Sequence, residues 1–221
     1  MQTAAGLVSS LLLSAAGSLL AGAATAAAQD VQSKPFSLVV QAPSDKSLDG
    51  QKLAACHTGA AIESLCLGGS SGAGSSFFLN TTQGAQPPQP GYEPAGVLVW
   101  NLPSGGGVPG GGVVSEPMSF SVDPSTNVAL PLFQPGSGTT QYVAFDTTAA
   151  KDAARLVVFS SLDDTRRPPT EDKPRALSNW HVCQTYYAGY QYRTLNWVLG
   201  NGGQKPQNPS CVKVEVQRKF T

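Results

Sequence analysis

Cys211-Val212-Lys213-Val214-Glu215-Val216-Gln217-Arg218, near the carboxyl end, decides the fold class. Val212, Val214 and Val216 fall on one side of an extended chain, and Lys213, Glu215 and Gln217 on the other. Side chains alternate across a strand, so this is a half-buried strand with an apolar inner face and a wet outer one. The same grammar recurs upstream. Residues 36–41, 62–67, 77–80, 97–101, 118–122, 141–146, 156–160, 180–187 and 193–199 are short apolar or aromatic runs bounded by Gly and Pro. Only residues 148–155 have any helical promise, too short a stretch to change the class. The pattern predicts an all-β protein with antiparallel pairing, because the connections are too short for parallel crossovers. An antiparallel β-sandwich or a closed β-barrel is expected, with a β-trefoil as the alternative, although no threefold sequence repeat stands out.

The first 28 residues read as an export signal. Leu7, Val8, Leu11, Leu12, Leu13, Leu19 and Leu20 make an apolar stretch, and Ala26-Ala27-Ala28 offers small residues before Gln29-Asp30. A cut after Ala26 also fits. The n-region has no Lys or Arg, and no stop-transfer run follows. The charged end, Val216-Gln217-Arg218-Lys219-Phe220-Thr221, is no glycolipid-anchor signal. The reading is a secreted, extracellular product of one domain over residues 29–221, with no membrane partner.

Lys+Arg and Asp+Glu both total 14, so no net charge steers the chain toward nucleic acid or an anionic membrane. Pro87, Pro88, Pro90 and Pro94 cannot donate ladder hydrogen bonds, and residues 105–112 are mostly Gly. Flexible loops are therefore expected near 83–96 and 103–116. The charged stretch 166–173 reads as a third exposed connection.

Four cysteines, Cys56, Cys66, Cys183 and Cys211, are an even set suited to an oxidising compartment. They allow three connectivities. Cys56–Cys66 with Cys183–Cys211 is preferred, because each pair closes a local loop between neighbouring strands. Each bridge is worth roughly 3 kcal/mol on the chain-entropy model.

The candidate chemistry is thin. His57 and His181 each lie near a cysteine, but the spacing lacks the local pairs of a zinc site, and export oxidises thiols. No metal ligand set, catalytic residue or cofactor is assigned. No Gly-x-Ser-x-Gly elbow sits on a strand–turn–helix, and Gly72-Ala73-Gly74 lacks the Lys-Ser/Thr of a phosphate cradle. Asp163-Asp164, with Glu63 or Glu116, supplies carboxylates for glycan hydrolysis, yet Asp163-Asp164-Thr165 reads first as a turn. The better lead is aromatic. Trp180, Tyr186, Tyr187, Tyr190, Tyr192 and Trp197 cluster around Ala188-Gly189, where a hairpin would present alternate rings to sugar faces, or else pack them in the core. Asn80-Thr81-Thr82 is an N-glycosylation acceptor if exposed, whereas Asn208-Pro209-Ser210 is barred by its proline.

Leu53-Ala54-Ala55-Cys56-His57-Thr58-Gly59 through Cys66-Leu67, Leu98-Val99-Trp100-Asn101-Leu102-Pro103, Asn127-Val128-Ala129-Leu130-Pro131-Leu132-Phe133 and Pro206-Gln207-Asn208-Pro209-Ser210-Cys211 together resemble small secreted proteins of filamentous fungi. That family is an uncharacterised domain group. A looser similarity is to phialide-associated fungal cell-wall proteins. The resemblance implies one domain and a fungal, wall-associated setting; it transfers no site. The sequence thus points to a non-catalytic extracellular or wall-associated protein, then to a glycan-binding module with cell-wall polysaccharide as partner, and third to a secreted effector or inhibitor. Oligomeric state is not encoded in any feature.

Overall fold

The computed structural model describes residues 30–68, 74–103, 112–136, 138–149 and 153–221. The expected export signal and most of the glycine-rich loop, residues 104–111, lie outside them. The described residues form strands β1 (Asp30–Gln32), β2 (Phe36–Gln41), β3 (Leu53–Gly59), β4 (Ile62–Leu67), β5 (Phe77–Thr82), β6 (Gly96–Pro103), β7 (Val113–Val122) and β8 (Val128–Phe133). Then follow β9 (Tyr142–Asp146), β10 (Arg155–Asp163), β11 (Thr170–Leu177), β12 (Trp180–Tyr187), β13 (Tyr190–Val198), β14 (Val212–Lys213) and β15 (Glu215–Phe220). All the pairings are antiparallel and join the strands into one connected sheet. The stretch at 148–155 forms no α-helix among its described residues; its end is the start of β10.

Six pairings return to their starting point. β2 pairs β15, β15 pairs β10, β10 pairs β9, β9 pairs β6, β6 pairs β5, and β5 pairs β2 through Phe36↔Phe77. Three hairpins stand off this ring: β3–β4, β7–β8 and β12–β13. Their second strands, β4, β8 and β13, meet pairwise through Ser64↔Leu132, Cys66↔Thr194 and Ala129↔Trp197, making a three-sided cap. The chain therefore runs barrel strand, hairpin, barrel strand three times over. That is the connectivity of a β-trefoil, the alternative among the expected topologies.

The repeat extends to detail. β7 pairs β6 from Val113 to Pro117 and then crosses to β8 from Met118 to Val122. In the third unit the same path is split. β11 follows β10 through Val158↔Leu177, and β12 then enters the cap. In the first unit a single bridge, Val39↔Lys52, precedes β3. The C-terminal valine run divides likewise: Val212 and Lys213 pair with β12, and Glu215 onward pairs with β2.

Phe36, Leu38, Phe77, Leu98, Phe145, Leu156 and Val216 fill the barrel and are fully buried. Phe36 meets Phe145 edge-on at 5.4 Å, and Phe77 stacks on Phe133 at 5.7 Å. In the cap, Trp180 packs against Trp197 at 4.8 Å and Phe120 stacks on Trp197 at 5.8 Å. The Trp180 indole N–H donates to the Leu156 carbonyl at 2.9 Å, so its one polar atom is satisfied in the core.

The inward face of β15 ends on Arg218, only 2% exposed. Its guanidinium lies 4.3 Å from the ring centres of both Phe145 and Phe220. Both arms donate to Glu93, each at 2.6 Å. A buried cation needs a paired anion, and the fork geometry supplies it. Glu93 belongs to the proline-rich segment expected to be a flexible loop. That expectation is corrected for its second half. Glu93 N–H also donates to the Phe145 carbonyl, and Tyr92 packs on Phe159 at 4.9 Å. Prolines remove only their own donors; Tyr92 and Glu93 between them strap the segment to the barrel. In the second expected loop, residues 113–116 are part of β7.

Candidate functional site

Both cysteine pairs are joined as expected. Cys56–Cys66 links β3 to β4 with a Cα separation of 5.7 Å, and Cys183–Cys211 ties β12 to the segment before β14 with a Cα separation of 4.1 Å. With all four sulfurs oxidised, no thiolate remains for a site with His57 and His181.

The β12–β13 hairpin turns at Ala188-Gly189, both at positive φ, as a tight two-residue hairpin loop demands. It separates the six aromatic residues by depth. Trp180 and Trp197 stand opposite each other at the base of the hairpin and are buried in the cap core. Their assignment to a ligand platform is corrected: at that depth the strands pack on the Phe120 side chain. At the tip, Tyr186 is 73% exposed and Tyr190 is also exposed, while Tyr187 and Tyr192 are half-buried.

Tyr186 and Tyr187 line a groove of about 510 Å³. The β7–β8 hairpin contributes Ser121, Asp123, Thr126 and Leu130 to its lining, β13 contributes Asn196, and the segment before β14 contributes Gln207 and Asn208. The walls are tied together before any ligand arrives. Asn127 N–H donates to Gln207 Oε1 at 2.9 Å, and Gln207 N–H donates back to Asn127 Oδ1 at 2.8 Å. Asn208 Nδ2 donates to the Gln184 carbonyl at 2.9 Å, and Gln184 N–H donates to Ser210 Oγ at 2.9 Å. The Cys183–Cys211 bridge fixes the same junction. Three sequence-distant segments therefore converge on a preformed depression.

Asn196 is fully buried. Its Nδ2 donates to the Thr194 carbonyl at 2.8 Å and to Thr194 Oγ1 at 3.0 Å, which places the amide oxygen on the other side. That Oδ1 has no hydrogen-bond partner. A buried acceptor without a donor costs about 1–3 kcal/mol. Asp123 Oδ1 accepts the Ser125 N–H at 2.8 Å, and the hydrogen bonds from the Ser125 hydroxyl and N–H hold the Asp123 carboxyl below its ordinary pKa. Sequence reasoning missed Asp123, Asn196, Gln207 and Asn208. The signal for Asn196 was present: a lone amide inside the apolar run Leu195-Asn196-Trp197-Val198.

The carboxylates raised for hydrolysis are arranged differently. Asp163 is a turn residue, accepting the Thr165 N–H at 3.1 Å and pairing with Arg166 at 3.1 Å. Glu63 and Glu116 do meet. Glu116 is 0% exposed, and burial, with the neighbouring Glu63 carboxyl, pushes its pKa up to about 8. Neither Glu116 oxygen nor Glu63 Oε2 has a hydrogen-bond partner. Glycosidase carboxyls stand roughly 5–9.5 Å apart and open to a sugar between them, whereas Glu116 and Glu63 are both buried. Neither lines the groove. Asn80 sits on β5, half-buried, with its Oδ1 accepting Gln32 Nε2 at 3.0 Å.

A disulfide-linked, trefoil-connected β protein with a polar, aromatic-walled groove in its cap is thus the class that fold and site define. A domain of unknown function, DUF7907, matches residues 33–220, and the chain belongs to that family. No curated protein and no solved structure matches it.

Proposed function

We propose that this protein is an extracellular, non-catalytic recognition module that binds carbohydrate in the cap groove, with the polysaccharide of a cell wall as its setting. One observation carries the reading: two tyrosines, Tyr186 and Tyr187, line a preformed groove together with Asp123, Asn196, Gln207 and Asn208. A sugar offers an apolar ring face and a rim of hydroxyls, which matches a tyrosine-lined groove with carboxylate and amide groups in its lining. The two disulfides fit an oxidising compartment, and no helix of the described residues is long and apolar enough to cross a membrane.

The test is retention of the purified protein on insoluble chitin, β-glucan and cellulose. Wild type should be retained on at least one of them, and Tyr186→Ala should lose most of that retention, since one stacked aromatic is worth about 1 kcal/mol or more. Absence of retention on all three, or release of soluble sugar at enzyme-like rates, would overturn the proposal.

A further inference from the structure

Resting on the reading of the cap groove as a carbohydrate site, we infer its ligand class: neutral or amino-bearing sugars are accepted and acidic sugars are rejected. The groove is lined by thirteen described residues, among which Asp123 alone carries a charge. No Lys, Arg or His in that lining can balance it. The Asp123 carboxylate is held ionised by the Ser125 hydrogen bonds, so it keeps its charge into acid conditions.

The polar groups of the lining lean the same way. The Asp123 carboxylate is acceptor-only, and the buried Asn196 carries an Oδ1 with no donor. Three amide donors of the lining are already engaged: Asn196 Nδ2 by Thr194, Asn208 Nδ2 by Gln184, and Gln207 N–H by Asn127. A lining whose one charge is an anion favours ligands that present hydroxyl or ammonium donors. A uronate or phosphate would bring a second anion to Asp123 with no cation to compensate. Discrimination by such a repulsive element is how one site separates ligands of similar shape.

The experiment measures binding of the full mature protein to three soluble oligosaccharide sets at low salt: neutral β-glucan and chitin oligomers, chitosan oligomers, and oligogalacturonates. Neutral or chitosan oligomers should bind, with oligogalacturonates about fivefold weaker or more, the order expected for one partly solvated charge contact. Asp123→Asn keeps the turn-forming side chain and should narrow that ratio toward unity; raising salt should narrow it in wild type as well. Oligogalacturonates binding as tightly as neutral oligomers, or a ratio unmoved by Asp123→Asn, would overturn the charge rule while leaving a carbohydrate site standing. Binding of none of the three sets would overturn the groove reading and the charge rule together. Circular dichroism of the Asp123→Asn protein separates a folding defect from a binding one; Asp123→Ser, which keeps the turn without the charge, gives a second reading of the same ratio.

Discussion

Replacing Glu116 by Gln should change how stability depends on pH. Glu116 is fully buried on β7 against Glu63 of β4, and the cross-strand neighbour of Glu63 is His57, whose Nδ1 lies 4.0 Å from Glu63 Oε1 on the exposed side. Burial first, and then Glu63, raises the Glu116 pKa from its ordinary 4.5 to about 8. Native protein therefore holds a proton that the unfolded chain releases. The stabilisation is fully present below about pH 4.5 and is lost as pH rises through about 8. At about 1.4 kcal/mol per unit, the loss between pH 5 and 8 is on the order of 4 kcal/mol. That is a large part of the 5–15 kcal/mol typical of a domain.

Glutamine has the shape of the protonated acid and gives Glu63 an amide N–H, but it cannot titrate. Urea unfolding with the disulfides intact, followed by fluorescence of the buried Trp180 and Trp197, measures the difference at each pH. The Glu116→Gln protein should be close to wild type near pH 5 and more stable by several kcal/mol near pH 8. His181 contributes the opposite slope: burial lowers its pKa, so its stabilisation is present above about pH 6.5 and lost as pH falls. It is unchanged in both proteins and cancels in the comparison. Parallel pH profiles for the two would refute a Glu116 that stays protonated in the folded protein.

Glu93→Ala leaves the Arg218 guanidinium buried and unpaired and should cost about 3–5 kcal/mol in urea unfolding, while the double change Glu93→Gln with Arg218→Met should recover much of it. Trp197→Ala should cost about 3–5 kcal/mol through the cavity left beside Trp180 and Phe120, whereas Tyr186→Ala, at an exposed tip, should leave the unfolding midpoint almost unmoved. Removing the bridge with Cys183→Ser and Cys211→Ser should cost about 3 kcal/mol and also weaken carbohydrate retention, because residues 207 and 208 lose their covalent tie to β12. Retention equal to wild type in that variant would show that the hydrogen bonds alone shape the groove.

The strands that were legible are those bounded by clear turn signals. β2, β4 and β12 fall on the runs read from the sequence, because their apolar pattern stops at recognisable turns. β8 was not legible. Every residue of it is buried, so alternation disappears, and Pro131 argues against a strand until its place in the cap is known. β11 was hidden for the reverse reason: its charged, exposed residues look like a connection, and only β10 beside it makes them a strand. The cysteine pairing was readable because the partners are sequence neighbours on adjacent strands. The groove was half readable. Tyr186 and Tyr187 announce themselves beside a turn, but Asn127 and Gln207 are eighty positions apart and meet only through the closure of the trefoil.

That closure also accounts for the missing sequence repeat. The three cap hairpins have one backbone plan, but the seams between them are filled differently. The seam of the first and second units holds the Glu63–Glu116 pair, while the seam of the second and third opens into the groove with Asp123, Asn196 and Tyr186. The first unit meets the third through Cys66↔Thr194, with Thr194 hydrogen-bonded to Thr185 at 2.9 Å. A strict repeat would put the same side chains at every seam, giving three dyads or three grooves. The fold needs only apolar inward residues and turns in threefold arrangement; a single recognition site needs the symmetry broken where the hairpins meet. Changes at the groove seam should therefore alter ligand choice with little effect on folding, and changes at the carboxyl seam should do the opposite.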